Sequence, residues 1–190
     1  MAEAVPQQLP APALGRLVVI GLGLIGGSFA KGLRDKGLFR EVIGVDLDPE
    51  SRRMAVELGV VDRCEEDLAA ACLGADVIQL AVPILAMQKL LGALAQLPLG
   101  DAVLTDVGSA KGNVLRAAAQ AFGAVPPRFV PGHPIAGSEQ SGVEASNGQL
   151  FRRHKVILTP LADTAEAALQ LVDRLWRELG ADVEHMDVEH

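Results

Sequence analysis

The sequence predicts a doubly wound α/β fold, in which a mostly parallel sheet carries helices on both faces. Strand and helix signals alternate along the chain, and the candidate strands are rich in Val, Ile and Leu, as strands covered on both faces are. In addition, the first strand runs directly into a glycine-rich turn that opens a helix. Of the 190 residues, 49% are hydrophobic, which is enough for one substantial core and a single domain.

The expected elements follow from this alternation. Strands are expected at Leu17–Gly21, Val42–Asp46, Val60–Val61, Asp76–Val82, Ala102–Asp106, Arg128–Pro131, Lys155–Pro160 and Asp182–Met186. Helices are expected at Leu24–Lys36, Pro49–Leu58, Glu65–Ala70, Ile84–Ala95, Lys111–Ala121 and Thr164–Leu179. Residues 1–15 are rich in Pro and Ala and are interpreted as a disordered leader rather than a signal peptide, because no basic start precedes an apolar stretch. The predicted domain is residues 16–190.

Charge and cysteine content narrow the class of protein. Seventeen basic and 24 acidic residues give a net charge of −7, which disfavours a nucleic-acid partner. Cys64 and Cys72 do not have the spacing of metal ligands, so no metal is expected. Both are interpreted as free thiols in a reducing compartment, which indicates a cytoplasmic protein. No apolar segment is long enough to span a bilayer, so no membrane partner is expected.

The glycine-rich turn has the spacing of a dinucleotide-binding, Rossmann-type fingerprint. Gly21 permits a tight turn, Gly23 lets the backbone approach a pyrophosphate, and Gly26 lets the helix pack closely on the strand. About twenty residues later, a second strand ends at Asp46, whose carboxylate can accept hydrogen bonds from both adenosine ribose hydroxyls. The alternative is a glycine-rich turn in an unrelated strand–helix unit. The residues expected to contact the cofactor are Gly21, Leu22, Gly23, Leu24, Ile25, Gly26, Asp46, Val82 and Pro83.

The same acidic residue favours NAD over NADP. Asp46, reinforced by Asp48, would repel a 2′-phosphate. Arg52 and Arg53 lie on the next helix and could soften this preference, so NADP stays the alternative cofactor.

Polar side chains follow two further strands, where ligands bind in open α/β sheets. Each has a structural alternative to a catalytic role: Ser109 could cap the next helix, Lys111 could be solvated, His133 could be hydrogen-bonded within a loop, and Glu139 could be a surface acid. A histidine at a strand terminus beside a nicotinamide site is also a candidate base, because its ordinary pKa suits proton transfer near neutrality. The residues alone therefore indicate a nicotinamide-dependent oxidoreductase with one histidine and one serine.

Four segments together carry a more specific resemblance: GLGLIGGS, DVGSAK, GHPIAGSEQSG and the pair Leu150-Phe151. From about Arg16 onward the chain resembles the prephenate and arogenate dehydrogenases of tyrosine biosynthesis, a branch of aromatic amino acid biosynthesis. The resemblance implies NAD(P)-dependent oxidative decarboxylation of a cyclohexadienyl substrate. It implies that His133 hydrogen-bonds the substrate hydroxyl and helps remove its proton, that Ser109 orients both, and that Glu139 and Ser138 lie on the substrate side.

In one respect the chain departs from that family. Its catalytic members carry a helical second domain that supplies an arginine for the substrate carboxylate and most of the homodimer interface. The chain ends at Asp187–His190, where that domain would begin, so we expect the nucleotide-binding half, with poor turnover by itself and an exposed apolar face. The alternatives are a non-catalytic NAD-sensing module and a β-hydroxyacid or imine reductase with the same nucleotide-binding half.

Overall fold

The computed structural model describes residues 14–187, and strands alternate with helices along this part of the chain. The strands are β1 (Leu14–Ile20), β2 (Phe39–Val45), β3 (Arg63–Cys64), β4 (Val77–Leu80), β5 (Val103–Asp106), β6 (Phe129–Val130), β7 (Gly132–Pro134), β8 (Lys155–Leu158) and β9 (Asp182–His185). The helices are α1 (Leu24–Lys36), α2 (Pro49–Glu57), α3 (Leu68–Cys72), α4 (Ile84–Leu94), α5 (Lys111–Phe122) and α6 (Glu166–Glu178), and a short 3-10 turn covers Val143–Ala145.

The main sheet has six parallel strands in the order β3-β2-β1-β4-β5-β6. This is the strand order of dinucleotide-binding folds, in which the direction of winding reverses between β1 and β4 and opens a crevice at the carboxyl ends of those strands. The predicted doubly wound, mostly parallel α/β class is therefore confirmed.

Alternate residues of each strand enter cores on opposite faces of this sheet, which explains why the strands are apolar throughout. In β1, Leu17 and Val19 join the core formed with α1 and α6, whereas Val18 and Ile20 join the core formed with α4 and α5. Among residues 14–187, no helix combines the length and the apolar character needed to cross a bilayer.

The last three strands form a separate sheet, which the prediction of one sheet missed. Its order is β7-β8-β9, with β7 antiparallel and β9 parallel to β8, and α6 makes the crossover between β8 and β9. His133 therefore lies on a strand, paired with Ile157, and the segment after β6 is not simply a loop. The prediction missed β7 because this strand has only three residues and includes Pro134, so it carries no local strand signal.

Several predicted boundaries need correction. The short third strand is at Arg63–Cys64, because Val60 and Val61 form a buried turn whose N–H groups both donate to the Ala55 carbonyl. The helix expected at Glu65–Ala70 begins later, at Leu68, because the Asp67 carboxylate accepts the Ala69 N–H and caps it there.

The predicted leader is also too long by two residues. Leu14 and Gly15 are the first residues of β1, where the Gly15 N–H donates to Asp76 Oδ2 at 2.5 Å. The rest of the predicted leader lies outside the described residues.

A cluster of aromatic rings joins α1, α6 and the turn that precedes β8. The indole of Trp176 is fully buried, and its ring centroid lies 4.8 Å from that of Phe29 and 4.9 Å from that of Phe151. These separations are typical of tilted and edge-to-face aromatic pairs. The cluster fixes the second sheet and α6 against the same face of the main sheet that α1 covers.

Candidate active site

The glycine turn between β1 and α1 leaves no room for side chains at its first and third glycines. Gly21 has a φ of +98°, and a Cβ there would lie within 3.0 Å of the Ala81 carbonyl. A Cβ on Gly26 would lie equally close to the Gly21 carbonyl oxygen. Gly23 differs, because the direction of its absent Cβ is open for 4 Å. Protein packing therefore requires Gly21 and Gly26, whereas Gly23 exposes the backbone to the crevice.

The first turn of α1 faces the same crevice without a side-chain cap. Gly23 is the N-cap residue, and no acidic side chain lies in the first turn. A helix leaves the N–H groups of its first turn without intrahelical acceptors and carries a partial positive charge at that end. Leu22, Leu24 and Ile25 complete the turn, which can hold a phosphate by its backbone.

Asp46 follows β2 directly and faces the glycine turn. Its Oδ2 accepts the Leu22 N–H at 2.8 Å, and its Oδ1 accepts the Asp48 N–H at 2.9 Å. Arg52 supports the loop from behind, because Nη1 donates to the Asp46 carbonyl at 2.8 Å while Nη2 pairs with Glu66 at 3.0 Å. Each carboxylate oxygen of Asp46 keeps a second lone pair for a ligand hydroxyl.

Two apolar side chains that sequence reasoning missed are exposed at this edge of the sheet. Leu47, immediately after Asp46, is 99% exposed, and Leu85, in the first turn of α4, is 94% exposed. Val82 is half-buried in the loop between them and the sheet, and exposed Pro83 is the N-cap of α4. The signal available in the sequence was an apolar residue shortly after the end of a predicted strand: Leu47 follows Asp46 directly, and Leu85 comes three residues after Val82.

The buried carboxylate of Asp106, at the end of β5, connects the residues around Lys111 with those around His133. Its Oδ2 accepts the Gly108 N–H at 2.9 Å and also pairs with Lys111 Nζ, while its Oδ1 accepts the Gly132 N–H at 3.1 Å. The Lys111 side chain is only 11% exposed, so the alternative of a solvated lysine does not hold. Burial raises the pKa of Asp106 and lowers that of Lys111, and their mutual attraction opposes both changes.

His133 lies on β7 directly after Gly132, and its imidazole is half-buried. Burial lowers the pKa of His133, the nearby Lys111 cation lowers it further, and Asp106 acts in the opposite direction. The ring is therefore neutral at pH 7 and can accept a proton.

Ser109 is exposed and lies in the loop between Gly108 and Lys111. It does not cap α5, because Ala110 is the N-cap residue and no side chain bonds to that end of the helix. No hydrogen bond joins Ser109 to His133 within residues 14–187, although the residue before each of them, Gly108 and Gly132, donates its N–H to Asp106.

Ser138 and Glu139 lie farther along, in an exposed segment after β7. Ser138 Oγ accepts the Gln140 N–H at 3.1 Å and so shapes a local turn. The structure places this segment between β7 and the buried anchor Val143.

A cavity of about 890 Å³ lies away from these residues, where the carboxyl ends of α1 and α6 approach each other. Its walls include Lys36, Arg152, Arg174 and Glu178, and none of the predicted site residues. Within the described range, no group of three or more His, Cys, Asp or Glu side chains is arranged to hold a metal ion.

Comparison with known proteins gives a consistent result. Residues 29–185 match the family model described as prephenate dehydrogenase, nucleotide-binding domain. The chain is 34% identical over 176 residues to the cyclohexadienyl dehydrogenase of Zymomonas mobilis, an alignment that covers 92% of this chain and 59% of that protein.

Two solved structures are similar over nearly the whole chain. One is prephenate dehydrogenase from Aquifex aeolicus in complex with hydroxyphenyl propionate and NAD+, with 38% identity, a TM-score of 0.84, and coverage of 95% of this chain and 62% of that one. The other is Synechocystis arogenate dehydrogenase, with 31% identity, a TM-score of 0.80, and coverage of 90% and 59%. The chain thus spans roughly three fifths of each of these proteins.

Proposed function

Because this chain belongs to the prephenate dehydrogenase family, whose nucleotide-binding domain it contains, we propose that it binds NAD and supplies the cofactor half of an oxidative decarboxylation. The proposed substrate is prephenate or arogenate. The observation that carries the proposal is that the open glycine turn follows the carboxyl end of β1, while the half-buried His133 lies three residues after the carboxyl end of β6, a strand of the same parallel sheet. A β-hydroxyacid or imine reductase would share the turn but would not require the GHPIAGSE segment.

The residues at the crevice suit a dinucleotide. The open side of Gly23 and the uncapped start of α1 provide space and N–H donors for a pyrophosphate. The remaining lone pairs of Asp46 suit the two ribose hydroxyls, and its charge disfavours a 2′-phosphate. Leu47 and Leu85 offer apolar surface for the faces of an adenine ring.

NAD, when bound, accepts the hydride that leaves the substrate carbon bearing the hydroxyl. In the proposed reaction, the neutral imidazole of His133 accepts the hydroxyl proton as the carbon becomes ketone-like. Carbon dioxide leaves from the opposite ring carbon, and aromatisation of the ring drives the reaction forward. Ser109, on the loop next to His133, orients the imidazole and the hydroxyl, while Ser138 and Glu139 contact the substrate from the exposed segment.

The rest of the catalytic assembly follows the family resemblance. We assign the arginine for the substrate carboxylate, and the homodimer interface, to a helical domain of the kind that follows the nucleotide-binding domain in this family. We also propose that the protein is located in the cytoplasm.

Calorimetric titration of the chain with NAD and with NADP tests the cofactor assignment. Asp46→Asn keeps the size of the side chain but removes its charge, and it should weaken NAD binding by about 1–3 kcal/mol while affecting NADP less. Asp101→Asn is the matched control, because the Asp101 side chain is 94% exposed and lies two residues before β5, at the end of that strand away from the crevice. Equal affinities of the unmodified chain for NAD and NADP would contradict the proposed role of Asp46.

A further inference from the structure

One buried carboxylate connects the two segments that carry the proposed catalytic residues. Asp106 is 0% exposed, and its two oxygens serve different parts of the chain. Oδ2 accepts from Gly108, one residue before Ser109, and Oδ1 accepts from Gly132, one residue before His133. The position of each catalytic residue is therefore set by a neighbour that is hydrogen-bonded to the same side chain.

Lys111 provides the positive charge that makes this arrangement tolerable. A buried carboxylate without a counter-charge costs several kcal/mol, even when N–H groups solvate it. Lys111 approaches from the first turn of α5 and pairs with Oδ2, the oxygen that also holds Gly108. Because the lysine side chain is itself nearly buried, its charge is poorly screened and reaches the neighbouring imidazole.

Beyond its structural pairing, we propose that Lys111 is a positioning residue that keeps the His133 imidazole neutral and proton-accepting while holding the Ser109 loop beside it. This role rests on the proposed function only in taking His133 as the proton acceptor. The electrostatic effect itself is a property of the chain without substrate or cofactor. If Lys111 served only to neutralise Asp106, an uncharged side chain that still donated a hydrogen bond to Asp106 would leave the protonation of His133 unchanged.

The charges around His133 make the direction of the effect definite. The Lys111 cation lowers the pKa of His133 more than the Asp106 anion raises it. On the neighbouring strands β8 and β9, Lys155 and Glu184 pair with each other at 2.9 Å. Removal of the Lys111 charge should therefore raise the proton affinity of His133 if Asp106 stays ionised. If Asp106 becomes protonated, the proton affinity of His133 should still rise, but by less, because the smaller effect of the Asp106 anion is lost as well.

Nuclear magnetic resonance titration of the histidine ring protons measures this effect directly. The chain has four histidines, and the loss of one resonance in His133→Asn assigns the signal. In the unmodified chain, His133 should titrate below the ordinary value of 6.5. In Lys111→Met, the imidazole should bind its proton about three- to tenfold more tightly. Lys111→Arg keeps the charge and should restore the original titration.

Lys111→Gln separates charge from hydrogen bonding, because its amide can still donate to Asp106. It should behave like Lys111→Met if the charge acts on His133, and like the unmodified chain if only the contact matters. An unchanged His133 titration in a folded charge-removing variant would overturn the proposal. If neither variant folds, a His133 titration at or above 6.5 in the unmodified chain would overturn it as well. Neither result depends on whether NAD binds.

Discussion

The backbone N–H of Asn147 donates a 2.9 Å hydrogen bond to Oγ of Ser28, 119 residues earlier in the chain. Ser28 is fully buried on α1, and the neighbouring Gly27 packs so closely against Ser146 that a Cβ there would overlap its hydroxyl. The small residues Gly27 and Ser28 of α1 thus pack against Ser146 and Asn147, which follow the exposed segment of Ser138 and Glu139. Helix α1 therefore has two roles, because its first turn faces the crevice and its side holds the residues that follow the exposed segment of Ser138 and Glu139.

Ser28→Ala should destabilise the chain by about 1–2 kcal/mol, because the Asn147 N–H loses its acceptor in a partly buried position. The loss should be local as well as global, so hydrogen exchange at the Asn147 amide should become faster. Ser51→Ala is a suitable control, because the Ser51 hydroxyl makes an exposed bond to Asp48 and its loss should change stability by less than about 0.5 kcal/mol. Unchanged exchange at Asn147 would show that the bond does not hold the segment.

Gly26→Ala should disrupt the turn, because a Cβ would meet the Gly21 carbonyl and the Ala81 side chain within 3.0 Å. We expect a loss of about 1–3 kcal/mol in unfolding free energy together with weaker NAD binding. Gly92→Ala is the matched control: Gly92 lies in α4, and a Cβ there meets nothing within 4 Å. It should stabilise the helix by about 0.5–1 kcal/mol and leave NAD affinity unchanged. A Gly26→Ala chain as stable as the original would mean that the helix moves freely relative to the strand.

Leu47→Ser should weaken NAD binding by about 1 kcal/mol, because an apolar contact surface for the adenine ring is lost. Leu73→Ser provides the comparison. Leu73 is 68% exposed and lies in the turn between α3 and β4, at the amino ends of the parallel strands rather than at the crevice. Calorimetry on both variants would separate a specific contact from a general effect of exposed leucines. Equal losses in the two variants would contradict a role for Leu47 in the cofactor site.

His133→Asn should lower turnover by about two to four orders of magnitude while leaving NAD affinity nearly intact, because it keeps a hydrogen-bonding side chain but removes the base. The assay requires the catalytic assembly with its helical domain and follows NAD reduction with prephenate and with arogenate. His154→Asn, which replaces an exposed histidine bonded to the Arg152 carbonyl, should leave turnover unchanged. If His133→Asn kept near-normal turnover, the base would have to be sought elsewhere, beginning with Glu139.

The first βαβ unit was predictable because its signals are local. Helix α1 has the expected bounds, Leu24–Lys36, since the glycine turn marks its start and Gly37 ends it in the left-handed conformation. The second sheet was not predictable in this way. Strand β7 has three residues, and its pairing with β8 joins residues more than twenty positions apart, which no local periodicity encodes.

The site shows the same division between local and tertiary information. Ser109 and His133 are predicted as site residues because both follow strands, and the glycine turn is predicted from its spacing. The pairing of Asp106 with Lys111 was missed, because a lysine in the first turn of a helix is ordinarily solvated and only tertiary packing buries it. The available signal was the strand-terminal aspartate five residues before a lysine in the DVGSAK segment.

Trp176 gives this molecule a single optical reporter. The chain has one tryptophan and no tyrosine, so ultraviolet emission arises almost entirely from one indole that is fully enclosed by Phe29, Phe151 and their neighbours. The emission of the buried indole should be at short wavelength in the folded chain and move to longer wavelength on unfolding. Indole emission also overlaps the absorption of reduced nicotinamide. Quenching by energy transfer would therefore report occupancy of the crevice by reduced cofactor, and the wavelength of the same emission would report the integrity of the core, in one measurement without an added label.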